Sequence, residues 1–133
     1  AQAETDLAAG VPLAILGDFN VAPTDDDVWD ISLFTDSTHV TPAERDALTA
    51  LESTGLVEVV PRALKYDKPY TFWDYRQLAF PKNTGMRIDL VYASPDVAGK
   101  VSDAYVDRDA RKPGKKGAPL PSDHAPVVVD LEL

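Results

Sequence analysis

Cysteine is absent from the 133 residues, which excludes a disulfide framework and a thiolate metal site. Long apolar runs are absent too. None approaches the roughly 18 residues that span a bilayer, and no signal-peptide pattern opens the chain. The expectation is a soluble, cytoplasmic protein with no membrane partner. Positive charge is missing from residues 1–44, which hold nine acids and no Lys or Arg. The net charge of -9 argues against a general nucleic-acid coat protein, though its distribution matters more. From Arg45 onward the thirteen bases equal the acids, and five of them crowd into RDARKPGKK, Arg108 to Lys116. That loop is either a local grip on a polyanion or a solvated surface segment.

Methionine occurs once, as Met86, and does not begin the chain. The opening AQAETDLAAGVP reads as the last turns of a helix stopped by Gly10 and Pro12. Pro12 to Leu16 is then a buried strand, too short for a helix. A helix tail leading straight into a core strand predicts a chain that is part of a longer domain. A helical turn is expected around Val28 to Leu33. Thr41-Pro42-Ala43-Glu44 is a helix start, with Thr41 as N-cap and Pro42 at the first position. Leu48 and Leu51 supply its apolar stripe, and Gly55 ends it.

Leu56 to Val60 reads as strand or turn, and Tyr70 to Tyr75, Arg87 to Ala93 and Val101 to Val106 read as strands. The closing APVVVDLEL alternates, with Val127, Val129, Leu131 and Leu133 on the buried side. Strands joined partly by a helix and partly by loops predict a mixed α/β or α+β layer, one mixed sheet with helical cover.

Polar residues interrupt these apolar strands in three places. In GDFN, Asp18 and Asn20 are two apart, on one face of an extended chain. In RIDLVY, Asp89 sits among apolar neighbours, where a carboxylate must be paired or hydrogen-bonded. In PSDHAPVVV, Asp123 and His124 immediately precede a core strand. Taken singly, these are turn formers, a core carboxylate paired with an arginine, and a plain loop. Together they form a set at three strand ends that chance supplies poorly. His39, in a polar stretch, is given no role.

Such a set suits phosphodiester hydrolysis with a hard divalent metal. Carboxylates hold Mg²⁺ through oxygen, and attack on phosphorus needs neutralised charge and a positioned water. A histidine can donate to the phosphate while a carboxylate on its other nitrogen fixes its tautomer, a role that suits Asp89.

The segments GDFNVAPT, TPAERDAL, GLVEVVPR, YTFWDYR, GMRIDLVYASP and PSDHAPV resemble the carboxyl-terminal half of the exonuclease III and abasic-site endonuclease family. The resemblance runs from about Pro12 to Leu133. GDxN, RID and SDH by themselves indicate only the wider endonuclease/exonuclease/phosphatase superfamily; WDYR and the helix spacing narrow it. The resemblance implies one half of a four-layer α/β/β/α sandwich, residues 1–133 being its carboxyl-terminal half. It implies that Asp18 positions the attacking water or protonates the leaving group, and that Asn20 holds the phosphate and Asp18. Asp89 would orient His124, His124 would contact a phosphate oxygen, and Asp123 would be a ligand of Mg²⁺ or Mn²⁺.

Phe72 and Trp73 would lie beside the sugar of an abasic nucleotide, unless they are core aromatics. Phe72 stands where the family commonly has Trp. Arg87 would support the site, and the basic loop, with Arg111 and Lys112, would meet the DNA backbone. The family's amino-terminal half carries an Asn, a metal-binding Glu and a Tyr with no counterpart here. The chain alone is therefore expected to bind metal weakly, to be nearly inactive, and to associate with that missing half or with itself. The implied function is a DNA-repair nuclease acting on duplex DNA at 3′ ends and abasic sites. Alternatives are a superfamily phosphoesterase acting on a small or lipid phosphoester, and an inactive half-domain.

Overall fold

The computed structural model describes residues 2–133. The expected mixed α/β class holds, but in place of the one mixed sheet expected the strands divide between two three-stranded sheets. The first has the order β1 (Ala14–Asp18), β4 (Asp89–Ala93), β2 (Val57–Glu58), all antiparallel. The second has the order β3 (Arg62–Ala63), β5 (Val101–Val106), β6 (Val127–Leu131), with β3 and β5 parallel. One segment serves both sheets. Val57 and Glu58 pair with β4, Pro61 follows, and Arg62 and Ala63 pair with β5. Proline has no amide to donate to a ladder, so a change of partner at Pro61 leaves no backbone donor unpaired.

Helices α1 (Gln2–Ala8) and α2 (Pro42–Glu52) cover the first sheet, while α3 (Ala79–Lys82) and α4 (Pro95–Ala98) are single turns. The start of α2 follows the sequence signature closely. Thr41 Oγ1 accepts from the Glu44 amide at 3.3 Å and donates to Glu44 Oε1 at 2.6 Å, closing a capping box. Those bonds hold the Glu44 carboxyl below the usual range, the Thr41 hydroxyl being the main cause. Gly10 and Gly55 end the two helices in the left-handed region, at φ +72° and +108°.

Strand β4 is buried on both faces, and its alternation sorts the core. Leu90 and Tyr92 pack with Leu48, Leu56 and Val21 under α2, and Ile88 packs with Met86, Val28 and Val40. Val91 and Ala93, on the opposite face with Asp89, meet Val59 and Ala104 of the second sheet. β6 keeps only the first half of its expected alternation. Val127 and Val129 pack inward, whereas Leu131 is 42% and Leu133 100% exposed. Edge strand β1 is uncovered on one face, where Leu16 is 67% exposed.

The aromatic stretch 70–75 is not a strand. Phe72 makes isolated bridges to Met86 on one side and to His124 on the other. Among the described residues, no helix is long and apolar enough to cross a membrane.

Candidate active site

Register brings the first two acids together. β1 and β4 run antiparallel with Asp18 opposite Asp89, so both carboxylates leave the same end and face of the sheet. Past Asp18 the chain turns. Asn20 adopts φ +56°, and its amide donates to Asp18 Oδ1 at 2.9 Å, an Asx turn that orients the carboxylate. Asp89 is held from below by Thr71, fully buried, whose hydroxyl accepts from the amides of Ile88 and Asp89, each at 3.1 Å.

The third element arrives through the aromatic stretch. The Trp73 amide donates to Asp123 O at 3.0 Å and the Ala125 amide to Thr71 O at 2.8 Å, which pins His124 over the end of β4. His124 Nδ1 lies 2.7 Å from Asp89 Oδ2. A carboxylate there accepts from a protonated Nδ1 and leaves Nε2 facing outward. That nitrogen stands 3.7 Å from Asp18 Oδ2 and 3.8 Å from Asp123 Oδ1. The Phe72 ring packs against the imidazole with centroids 5.2 Å apart. His124 remains 27% exposed, Asp18 and Asp123 each 38%, so the group is open to a ligand.

The structure therefore unites Asp18, Asn20, Asp89, Asp123, His124 and Phe72. Among the described residues, Asp18, Asp89 and His124 form a group able to hold a metal ion, with one ligand atom from each within 4.8 Å of the others. Asp123, the expected ligand, lies beside that group rather than inside it.

Three expected DNA contacts are corrected. Trp73 is 1% exposed, a core aromatic edge-on to Phe80 with its indole N–H on Asn83 Oδ1 at 3.0 Å. Arg87 is buried, its guanidinium shared between Asp27 at 2.7 Å and Glu58 at 2.8 Å. Arg111 is also buried, stacked on Tyr75 and Phe80 and donating to Trp73 O at 3.1 Å. Arg108 lies over Phe80 at 3.9 Å in the same stack. The basic loop thus divides. Its two arginines fasten it to the core, while Lys112, Lys115 and Lys116 are exposed.

His39 is the residue that sequence reasoning passed over. Its Nδ1 is 2.6 Å from Asn20 O, and its own amide donates to both carboxylate oxygens of Glu44, each at 3.1 Å. A chain of bonds thus runs from the cap of α2 to the turn that aims Asp18. Thr71 was missed as well; a hydroxyl between aromatics in an apolar stretch was its only signal.

Beside Phe72 opens a cleft of about 490 Å³, lined by Trp29, Phe34, Phe72 and Met86 together with Asp74, Arg76 and Lys82. Arg76 forks onto Asp74 at 2.7–3.2 Å and brings that carboxyl down to about 2.

The chain is similar to known proteins of one family. The family described as Endonuclease/Exonuclease/phosphatase matches residues 1–124. Exodeoxyribonuclease III of Haemophilus influenzae is 32% identical over 91% of this chain and 46% of its own length. A 3′ phosphatase from Neisseria, solved bound to a product DNA hairpin, superposes with TM-score 0.84 at 31% identity, covering 98% of this chain and 49% of that one. An AP endonuclease from Archaeoglobus fulgidus superposes with TM-score 0.82 at 27% identity, covering 99% and 51%. The chain spans about half the length of these relatives.

Proposed function

The chain belongs to the endonuclease/exonuclease/phosphatase family, and from that premise we propose that it supplies one side of the active site of a DNA-repair nuclease. The enzyme hydrolyses phosphodiesters of duplex DNA, releasing nucleotides from 3′ ends and incising at abasic sites. The observation that carries this reading is the convergence of Asp18, Asp89 and His124, 2.7 Å and 3.7 Å apart across His124.

In this reading water adds to phosphorus, the bond from phosphorus to the 3′-oxygen breaks, and the products are a 5′-phosphate and a 3′-hydroxyl. Asp18 orients the water and takes its proton; the leaving 3′-oxygen gains a proton from solvent. His124, with Nδ1–H bonded to Asp89, donates from Nε2 to a phosphate oxygen, and Asp89 stabilises the charge this places on the ring. Asn20 holds Asp18 through its amide and offers its side chain to the phosphate. Phe72 lies beside the sugar, and Lys112 meets the backbone.

The donor set fits a hard divalent cation, Mg²⁺ or Mn²⁺: Asp123 would supply a carboxylate oxygen to it beside the Asp18, Asp89 and His124 group, in which Asp89 is engaged by His124. When bound, the metal neutralises charge on the phosphoryl oxygens. The relatives are about twice as long as this chain, so we propose that further oxygen ligands come from residues outside it.

The test is cleavage of an abasic-site duplex in Mg²⁺ by the 133-residue chain, with His124→Ala as the blank. The chain alone is expected not to exceed the blank, and covalent joining to the amino-terminal half of a family relative is expected to give His124-dependent cleavage. Turnover of a phosphoinositide but not of abasic DNA by that joined protein would move the function to a small-molecule phosphoesterase. Cleavage by the chain alone, lost in the variant, would show that the outside ligands are dispensable.

The uncovered face of β1, around Leu16, is where we propose that the complementary half, or a second copy, packs. The isolated chain is expected to show reversible association in sedimentation velocity. A monodisperse monomer at every concentration would remove this expectation.

A further inference from the structure

His39 has no direct part in the chemistry above, yet it is bonded to the segments on both sides of it. Its amide donates to both carboxylate oxygens of Glu44, each at 3.1 Å, inside the cap of α2. Its carbonyl accepts from the Ala22 amide at 2.9 Å. The ring makes a separate contact, with Nδ1 2.6 Å from Asn20 O. A carbonyl oxygen only accepts, so that nitrogen carries a proton and donates. The bonds to Glu44 and Ala22 are made by the backbone and survive a change of side chain. Only the bond to Asn20 belongs to the imidazole.

The Asn20 carbonyl is a sensitive place to hold. Asn20 lies in the left-handed region at φ +56°, and its amide donates to Asp18 Oδ1 at 2.9 Å. Among the described residues, that is the one hydrogen bond the Asp18 carboxylate accepts. Before the turn, the Phe19 amide donates to Ile88 O at 3.0 Å. After it, Arg45 Nε donates to Ala22 O at 3.0 Å. Between these anchors lies the peptide that follows Asn20, and the His39 ring grips its oxygen. His39 itself stands at φ +84°, uncommon for a residue with a side chain. Such strain persists where the surroundings over-determine it, and it clusters at active sites. Here the bonds to Glu44 and Ala22 fix the backbone that aims the ring.

Resting on the nuclease reading above, we propose that His39 is a positioning residue for Asp18. Its Nδ1–H fixes the Asn20 carbonyl, and the fixed peptide holds the left-handed turn. The amide of that turn aims the carboxylate that orients the attacking water. The two histidines then divide the work: His124 acts at the phosphate, and His39 acts through Asn20.

The experiment compares His39→Gly, His39→Asn and His39→Gln. Glycine accepts the positive φ and keeps both backbone bonds, so it removes the ring contact alone. Asparagine tolerates positive φ and carries a side-chain N–H as many bonds from the backbone as Nδ1. Glutamine carries its N–H one bond further out. In the 133-residue chain, nitrogen NMR is expected to find the neutral His39 ring protonated at Nδ1. His39→Gly is expected to move the Asn20 amide proton upfield, and His39→Asn to return it. The kinetic arm uses the chain joined to the amino-terminal half of a family relative. There His39→Gly is expected to lower kcat about 10–100-fold, the usual cost of losing the support behind an active-site group. KM and thermal midpoint should change little. His39→Asn should recover most of kcat, and His39→Gln little of it.

An Asn20 amide unmoved in His39→Gly, or a neutral His39 ring protonated only at Nε2, would overturn the proposal. Losses of kcat that follow the thermal midpoints of the three variants, and not the reach of the donor, would overturn it too. That is the pattern a merely structural residue gives. No cleavage by the joined parent would overturn the nuclease reading alone. The Asn20 amide of the 133-residue chain would still decide whether His39 aims Asp18.

Discussion

Asp89→Asn is expected to lower phosphodiester cleavage by the family-length enzyme about 10³–10⁴-fold, with little change in stability. The analogous loss of the carboxylate behind a catalytic histidine in serine proteases is about that large. Asp89 Oδ2 accepts from His124 Nδ1–H at 2.7 Å, and nothing else described lies within hydrogen-bond reach of that nitrogen. An asparagine either accepts from Nδ1–H, which leaves Nε2 of the neutral ring without a proton to donate, or turns its amide N–H₂ toward Nδ1, which leaves Nε2 only the weaker donor of a neutral ring. It also lacks the charge that would stabilise a doubly protonated ring. The backbone has no reason to move. Asp89 N stays on Thr71 Oγ1, and the change removes one of two carboxylates that face each other in register. Single-turnover cleavage measures the loss, and the imidazole nitrogen shifts of His124 report the tautomer. A variant within tenfold of the parent, with its tautomer reversed, would dismiss the orienting role.

How the sequence foretold this site is instructive in its unevenness. Thr41, Pro42 and Glu44 announced their helix because a cap is local chemistry, settled within four residues. Asp18, Asp89 and His124 were visible as polar breaks at strand ends, since a strand's period is equally local. Their pairing was not. It depends on the β1–β4 register and on the bridges of Phe72 to Met86 and His124, contacts between residues far apart in the chain. The same limit explains the arginines. Arg87, Arg108 and Arg111 carry charge that reads as surface from composition, yet each is buried.

Their partners are supplied at long range. Asp27 and Glu58 meet Arg87, and Phe80 and Trp73 meet the other two. His39 was silent for a related reason, its one side-chain bond among the described residues being to a backbone carbonyl nineteen residues away.

Removal of the Arg87 guanidinium should be the most destabilising single change at the site's foundation. Its side chain is 4% exposed, and those of Asp27 and Glu58 are 12% and 15%. The arginine donates to Asp27 Oδ1 at 2.7 Å and Oδ2 at 3.3 Å, and to Glu58 Oε1 at 2.8 Å. Asp27 in turn accepts from the Thr24 amide and hydroxyl, at 3.0 and 2.8 Å, so one guanidinium joins the loop after GDFN to β2 and β4. Arg87→Met would leave two carboxylates buried without a counter-charge, a loss of about 3–5 kcal/mol. A domain of this size has about 5–15 kcal/mol in all.

Arg87→Lys keeps the charge but not the fork, and should fall between parent and Met variant. The control separates charge from packing. Adding Asp27→Asn and Glu58→Met to Arg87→Met removes all three charges, keeps an acceptor for Thr24, and should recover most of the loss, because an apolar replacement of a whole buried ion cluster is often neutral. Urea unfolding midpoints at constant slope give the comparison. Equal losses in the single and triple variants would mean that Arg87 acts through its packed stem rather than through the charge cluster.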